Sequence, residues 1–159
     1  MSDGPKSRGH TGKMQLSKEM WLAIAGGLVL LGGIALLRAW PVINSVETGR
    51  TPEYPDIQPR RYQERKERVY EAARRAVEQL PRWVLVSQNP EQAVIKAEVT
   101  SRLFRFVDDV QISIEEKDGS VLVNVRSASR VGKGDFGQNA RHIRSLFEEL
   151  DRQMGSNGR

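Results

Sequence analysis

Ten polar residues fall close together: Asp108 and Asp109, then Arg126, Ser127, Ser129, Arg130, Lys133, Asp135, Asn139 and Arg141. Residue types of this kind support three chemistries. Two neighbouring carboxylates can divide acid and base duties, one proton donor and one acceptor. A serine can act as a nucleophile when a base stands beside it. Arginine and lysine around a helix amino terminus can hold a phosphate, a carboxylate or a lipid head group. Against the first, adjacent strand residues point to opposite faces, so Asp108 and Asp109 do not converge. Against the second, His142 lies one turn into a helix with no evident partner, and the only other histidine is His10. The third competes with a plainer reading, in which Asp108, Asp109 and Asp135 already neutralise Arg126, Arg130 and Lys133 as a structural ion-pair network. That plainer reading is preferred. The run Gly132-Lys133-Gly134-Asp135-Phe136-Gly137 has the letters of a dinucleotide fingerprint, but no strand follows the helix to complete a parallel βαβ unit. A local role is expected instead. The glycines permit a sharp turn, and Asp135 caps the last helix in a capping box with Gln138, Asn139 being the alternative cap.

The elements that must position these groups can be read from periodicity. Glu64–Leu80 is expected as a helix, with Val69, Ala72, Ala73, Ala76, Val77 and Leu80 on one face and Pro81 as the stop. Strands are expected at Trp83–Ser87, Ala93–Val99, Leu103–Val107, Asp109–Glu115 and Ser120–Arg126. A final helix over about residues 138–153 buries Ile143, Leu146, Phe147, Leu150 and Met154. Short connections imply an antiparallel sheet, and helices before and after the strand block imply an α+β domain with both helices on one face. Two registers are open for the hairpin between the last two strands. With a loop at Glu116–Gly119, Asp109 stands opposite Arg126; with a two-residue Asp118-Gly119 turn, the pair is diagonal. Both place Asp109 and Arg126 on the wet face, with Arg130 returning to that side, and turn Asp108 toward Ser127 and Ser129.

Ahead of the domain, Met20–Leu37 holds eighteen residues without a charge. As a helix this run spans about 27 Å, close to the hydrocarbon thickness of a bilayer. Trp21 and Trp40 stand where interfacial aromatics belong, Arg38 can snorkel outward, and Gly27 with Ala23 makes a small-xxx-small pair. The chain is therefore divided into a disordered basic tail (1–19), a transmembrane helix (20–40), a Pro-rich spacer (41–62), a soluble domain (63–154) and a short tail (155–159). Lys6, Arg8, Lys13 and Lys18 precede the helix, which by the positive-inside rule leaves the amino terminus in the cytoplasm and the domain outside it.

The net charge of +5 and pI near 9.8 invite a nucleic-acid reading. Division removes it: residues 50–154 hold 19 basic and 17 acidic side chains, interleaved as in Glu64-Arg65-Lys66-Glu67-Arg68. That is a solvated helix face rather than a phosphate-binding stripe. With no cysteine and two histidines, neither thiolate nor multi-histidine metal sites are available. No metal, cofactor or nucleic acid is expected.

Asp108-Asp109-Val110, the run Val125–Gly132, and Asp135, Gly137, Asn139, Arg141 and Ile143 resemble the signature of the domain-of-unknown-function family numbered 1499. Tyr54-Pro55-Asp56-Ile57 and Ile95–Thr100 fit its pattern too, so the resemblance covers about residues 50–152. It implies no activity. It does imply a bacterial, cyanobacterial or plastid setting, often with an export signal or membrane segment, and so a place beside membrane complexes, photosynthetic ones included. The expectation is a single-pass protein anchored in the lipid bilayer of an inner or photosynthetic membrane, presenting a periplasmic or lumenal α+β module to an integral membrane complex. Its role is interaction, accessory or assembly, and the balance is against an enzyme. The alternatives are an anion or lipid-head-group site at Arg126, Arg130 and Lys133, and, third, a hydrolase using Asp108 or a serine.

Overall fold

The computed structural model describes residues 17–38, 43–102, 105–132 and 134–155, with the side chains at 28 and 30–38 excepted. The chain forms two compact units, residues 1–39 and 40–159. The described residues of the first form one helix, α1 (Lys18–Arg38). Among the described residues no helix is long and apolar enough to cross a membrane. The expected transmembrane span is thus not among the features shown. Of its expected anchor residues, Trp21 is exposed and Gly27 lies within α1. The Arg38 side chain and Trp40 lie outside the described residues.

The second unit runs β1 (Ser45–Glu47), β2 (Arg60–Tyr62), α2 (Lys66–Gln79), β3 (Trp83–Asn89), β4 (Val94–Thr100), β5 (Val107–Lys117), β6 (Ser120–Ser129) and α3 (Gln138–Met154). The six strands form one sheet in the order β1-β6-β5-β4-β3, with β2 also on β6, and every pairing is antiparallel. Register places Ile95, Ile112 and Val125 side by side, and all three are buried. Alternation along β4 and β5, and along β6 from Val123 onward, then gives one apolar face, on which α2 and α3 pack through Val69, Ala73, Val77, Ile143, Leu146 and Leu150. The expected α+β class, with an antiparallel sheet and helices before and after the strands, is what the chain forms.

Two expectations need correction. The stretch expected as a spacer is part of the folded unit. Val46 is fully buried, β1 and β2 both pair with β6, and Ile57 joins the core. Tyr62 donates to Asp151 at 2.6 Å, and Arg60 reaches the other oxygen of the same carboxylate at 2.9 Å, so β2 is tied to α3. Prolines made this text look extended, and it is extended; the edge of β6 gives it a ladder partner. Among the described residues, the strand expected at Leu103–Val107 is reduced to its last residue. Leu103 and Phe104 lie outside the described residues, Arg105 has a left-handed φ of 54°, and only Val107 belongs to a strand, at the start of β5.

The β5–β6 hairpin closes with Lys117 opposite Ser120, leaving the two-residue turn Asp118-Gly119. Both turn residues have positive φ, 52° and 71°, as the primed turn suited to strand twist requires. This selects the second of the two registers. Gln111, not Asp109, stands opposite Arg126, and Asp109 faces Ala128.

Candidate functional site

Among the described residues, the sheet parts these polar groups between its two faces. On the open face Arg130 forks onto Asp109, Nε to Oδ2 at 3.0 Å and Nη2 to Oδ1 at 2.6 Å, and also reaches Glu98 of β4. Arg126 stands near Asp109 on this side. The Arg130 guanidinium holds the Asp109 carboxyl below its ordinary range. Two carboxylates already occupy Arg130, so its charge is matched within the protein. Lys133, the third cation expected here, lies outside the described residues.

Under the other face lies a buried polar knot. Asp108, Ser127, Asp135, Asn139 and His142 are all at most 8% exposed. Alternation along β5 and β6 aims Asp108, Ser127 and Ser129 inward, and Asp108 stands opposite Ser129. The first turn of α3 brings Asn139 and His142 down onto them. Asp135 binds the start of that helix, Oδ1 accepting from the Gly137 amide at 2.9 Å and Oδ2 from the Asn139 amide at 2.7 Å. Asp135 therefore serves the first amides as expected, but from two residues ahead of the N-cap position, which Gly137 holds. The expected box does not form: Gln138 turns to His142 and Arg141 instead of reaching back. Gly137, at φ 72°, takes the left-handed position that lets the chain enter the helix. Arg141 is exposed and donates to the Phe136 carbonyl and the Gln138 side chain.

The hydrogen bonds of the knot run in one direction. Gln138 Nε2 meets His142 Nε2 at 2.9 Å, which makes the imidazole Nε2 the acceptor and places the ring proton on Nδ1. Nδ1 lies 3.3 Å from Ser127 Oγ and donates to it. Ser127 donates to Asn139 Oδ1 at 2.6 Å. Asn139 Nδ2 then serves the Asn44 carbonyl at 3.0 Å and Ser129 Oγ at 3.1 Å. Ser129 bonds Asp108, so the chain of donors ends on a carboxylate. Burial pushes the His142 imidazole down to about 4, with Arg141 adding to the effect, and pushes the Asp108 carboxyl up. The 3.6 Å approach of His142 Nδ1 to Asp108 Oδ2 is consequently a contact of a neutral ring, not an ion pair. It is also too long for a hydrogen bond.

Serine, histidine and aspartate thus meet without forming a relay. In a relay the serine and the acid use opposite nitrogens of the imidazole. Here both approach Nδ1, and Ser127 spends its proton on Asn139. What the arrangement does is satisfy every buried polar group at the seam between β6 and α3. Sequence reasoning left His142 without a partner. A usable signal was present, because Asn139 and His142 precede the buried Ile143 and Leu146 by four residues each and so share their face. A cavity of about 390 Å³ opens beside the knot, lined by Phe106, Asp108, Ser129, Val131 and Phe136 among others.

A helix-covered antiparallel sheet with a polar seam defines a small α+β domain. The chain belongs to the family described as "Protein of unknown function (DUF1499)", whose model matches residues 36–150. Among solved structures the chain is similar to Ara h 8.0201, at 12% identity and a TM-score of 0.45, over 71% of this chain and 98% of that one. It is also similar to TTHA0849 from Thermus thermophilus, at 10% identity and a TM-score of 0.37, over 72% and 99%. CalU16 from Micromonospora echinospora gives 10% and 0.36, over 73% and 98%. Among curated proteins none matches this chain.

Proposed function

We propose that the protein is a single-pass membrane protein that holds a non-enzymatic α+β module outside the cytoplasm, as an interaction or assembly subunit of an integral membrane complex. The observation that carries this reading is the uncharged run Met20–Leu37, which is helical as part of α1 and stands directly ahead of a compact domain. An apolar surface on every side of a helix calls for lipid or a protein interior around it. Four basic residues on its amino-terminal side favour a cytoplasmic amino terminus, in an inner or photosynthetic membrane. The non-enzymatic part is supported by the polar knot, whose groups are occupied by one another. It is supported again by Arg130, whose two carboxylate partners leave no charge over for an anion.

The test is fractionation of the full chain from native membranes. It is expected to stay with the membrane through an alkaline carbonate wash and to leave gentle detergent in a particle larger than itself. A reporter fused after Arg159 is expected to read outside the cytoplasm. Release by carbonate would remove the anchor, and a lone monomer in mild detergent would remove the assembly role.

A further inference from the structure

We propose that the end of the domain bearing Phe106, Val131 and Phe136 docks on the surface of an anionic bilayer, with these side chains in the headgroup layer and arginines facing the lipid phosphates. The inference rests on the membrane-anchored reading above. Phe106, Val131 and Phe136 are 48%, 58% and 58% exposed, and all three line the mouth of the same cavity. Large apolar side chains gathered at one exposed end mark a contact surface, and a bilayer interface accepts them at its headgroup boundary.

The two loops hold these groups outward. Phe136 keeps a left-handed φ of 50°, a conformation that costs a bulky residue free energy. Its carbonyl is held by Arg141 at 3.1 Å, and the preceding Asp135 is fixed by its two helix amides. The other loop is closed by Ser101, whose amide donates to the Phe106 carbonyl at 2.7 Å while its hydroxyl accepts from the Phe106 amide at 2.8 Å.

Charge selects the occupant. Arg102, Arg105 and Arg141 are exposed at this end, and Arg82 reaches it through the Thr100 carbonyl. Of the acids at this end, Asp108 and Asp135 are buried, while Asp109 and Glu98 are both taken up by Arg130. The exposed surface of this end is therefore both apolar and cationic. That pairing suits anionic headgroups over acyl chains, whereas a soluble acidic partner would not call for exposed phenylalanines.

Ile43 accepts from the Asp135 amide at 3.1 Å, and Asn44 donates to the Gly132 carbonyl at 3.4 Å, which further fixes the docking loop.

The test uses the full chain in vesicles. The chain has no cysteine, so Phe136→Cys and Asp118→Cys each carry one environment-sensitive fluorophore, at the two ends of the sheet. In phosphatidylcholine–phosphatidylglycerol vesicles containing nitroxide lipid, quenching at 136 is expected to exceed that at 118 roughly threefold or more. Val131→Cys, on the same rim, must give the same contrast. Arg102→Glu with Arg105→Glu is expected to reduce it, as is replacing the anionic lipid by phosphatidylcholine. Equal quenching at both ends, with the chain still retained after a carbonate wash, overturns the docking surface and leaves the anchor standing. Loss of the chain in that wash overturns both.

Discussion

Asp108 and Asp109 are consecutive in β5, yet the pleat sends one carboxylate beneath α3 and the other to the open face of the sheet. Asp108 sits among neutral donors, and burial raises its pKa. Asp109 sits in the fork of Arg130, which lowers its own. The first is held by a chain of oriented dipoles from Gln138 through His142, Ser127, Asn139 and Ser129. The second is held by charge in the presence of water. An exposed pair of this kind is screened and contributes little, whereas each member of a buried network leaves a stranded partner when removed. The same residue type therefore has opposite consequences one position apart. The buried side, despite having no ion pair, is the one on which the fold depends.

Removing Asn139 is the hardest test of that contrast. Asn139→Ala takes one partner each from Ser127 Oγ, Ser129 Oγ and the Asn44 carbonyl, and leaves a gap where a fully buried side chain stood. The expected loss is about 2 kcal/mol in urea unfolding, the order expected when a buried hydrogen-bonding group is removed. Ser127→Ala removes only the link to Asn139 and His142, and about 1 kcal/mol is expected. A loss for Asn139→Ala no larger than that of an exposed variant would break the comparison.

His142 makes the buried side sensitive to acid. Its folded pKa of about 4 lies below the ordinary 6.5, so the unfolded chain takes up the proton first. The stability it contributes is complete above pH 6.5 and is lost as the pH falls toward 4, by about 3 kcal/mol. Urea midpoints measured across that window should fall for the native chain and hold nearly level for His142→Gln. Asp108 works in the opposite sense. Its raised pKa means that the folded chain binds the proton more readily, so its burial penalises the fold above its unfolded pKa, and that penalty is relieved as acid protonates it. Asp108→Asn keeps the shape and removes the charge. A gain of about 1 kcal/mol at pH 7 is expected, with the native chain closing the gap on acidification.

How much of this was legible follows the same division. Helical and strand periodicity located α2, α3 and four long strands, because each buries one face and the pattern repeats several times. It missed β1 and β2, three residues each, which are too short to alternate and are strands only because β6 has an edge to offer. Side-chain parity placed Asp108 with Ser127 and Ser129 correctly, since it needs only a count of residues along two paired strands. It did not find Glu98 as a partner of Arg130, which depends on β4 lying beside β5 and so on the order of the strands. The direction of the hydrogen bonds was beyond the sequence for a similar reason: it is fixed by Gln138 and Asn139 one helical turn above the sheet, at a distance only packing sets.

Arg130→Ala should have the smallest effect, and it bears on the sheet's open face alone. It deletes a forked interaction with Asp109 and a contact with Glu98, leaving two carboxylates near each other in solvent. Exposed pairs contribute little, and salt screens both the lost attraction and the new repulsion. Asp109 has its pKa lowered by Arg130, so whatever stability the pair adds is present above the ordinary carboxylate range and disappears as acid protonates Asp109. The native chain and Arg130→Ala should therefore converge both at high salt and at low pH. The Asn139→Ala deficit should persist in high salt, because what it removes is dipolar and buried. If instead Arg130→Ala destabilised as much as Asn139→Ala and did so at any ionic strength, the open face would have to carry structural weight that its exposure denies it.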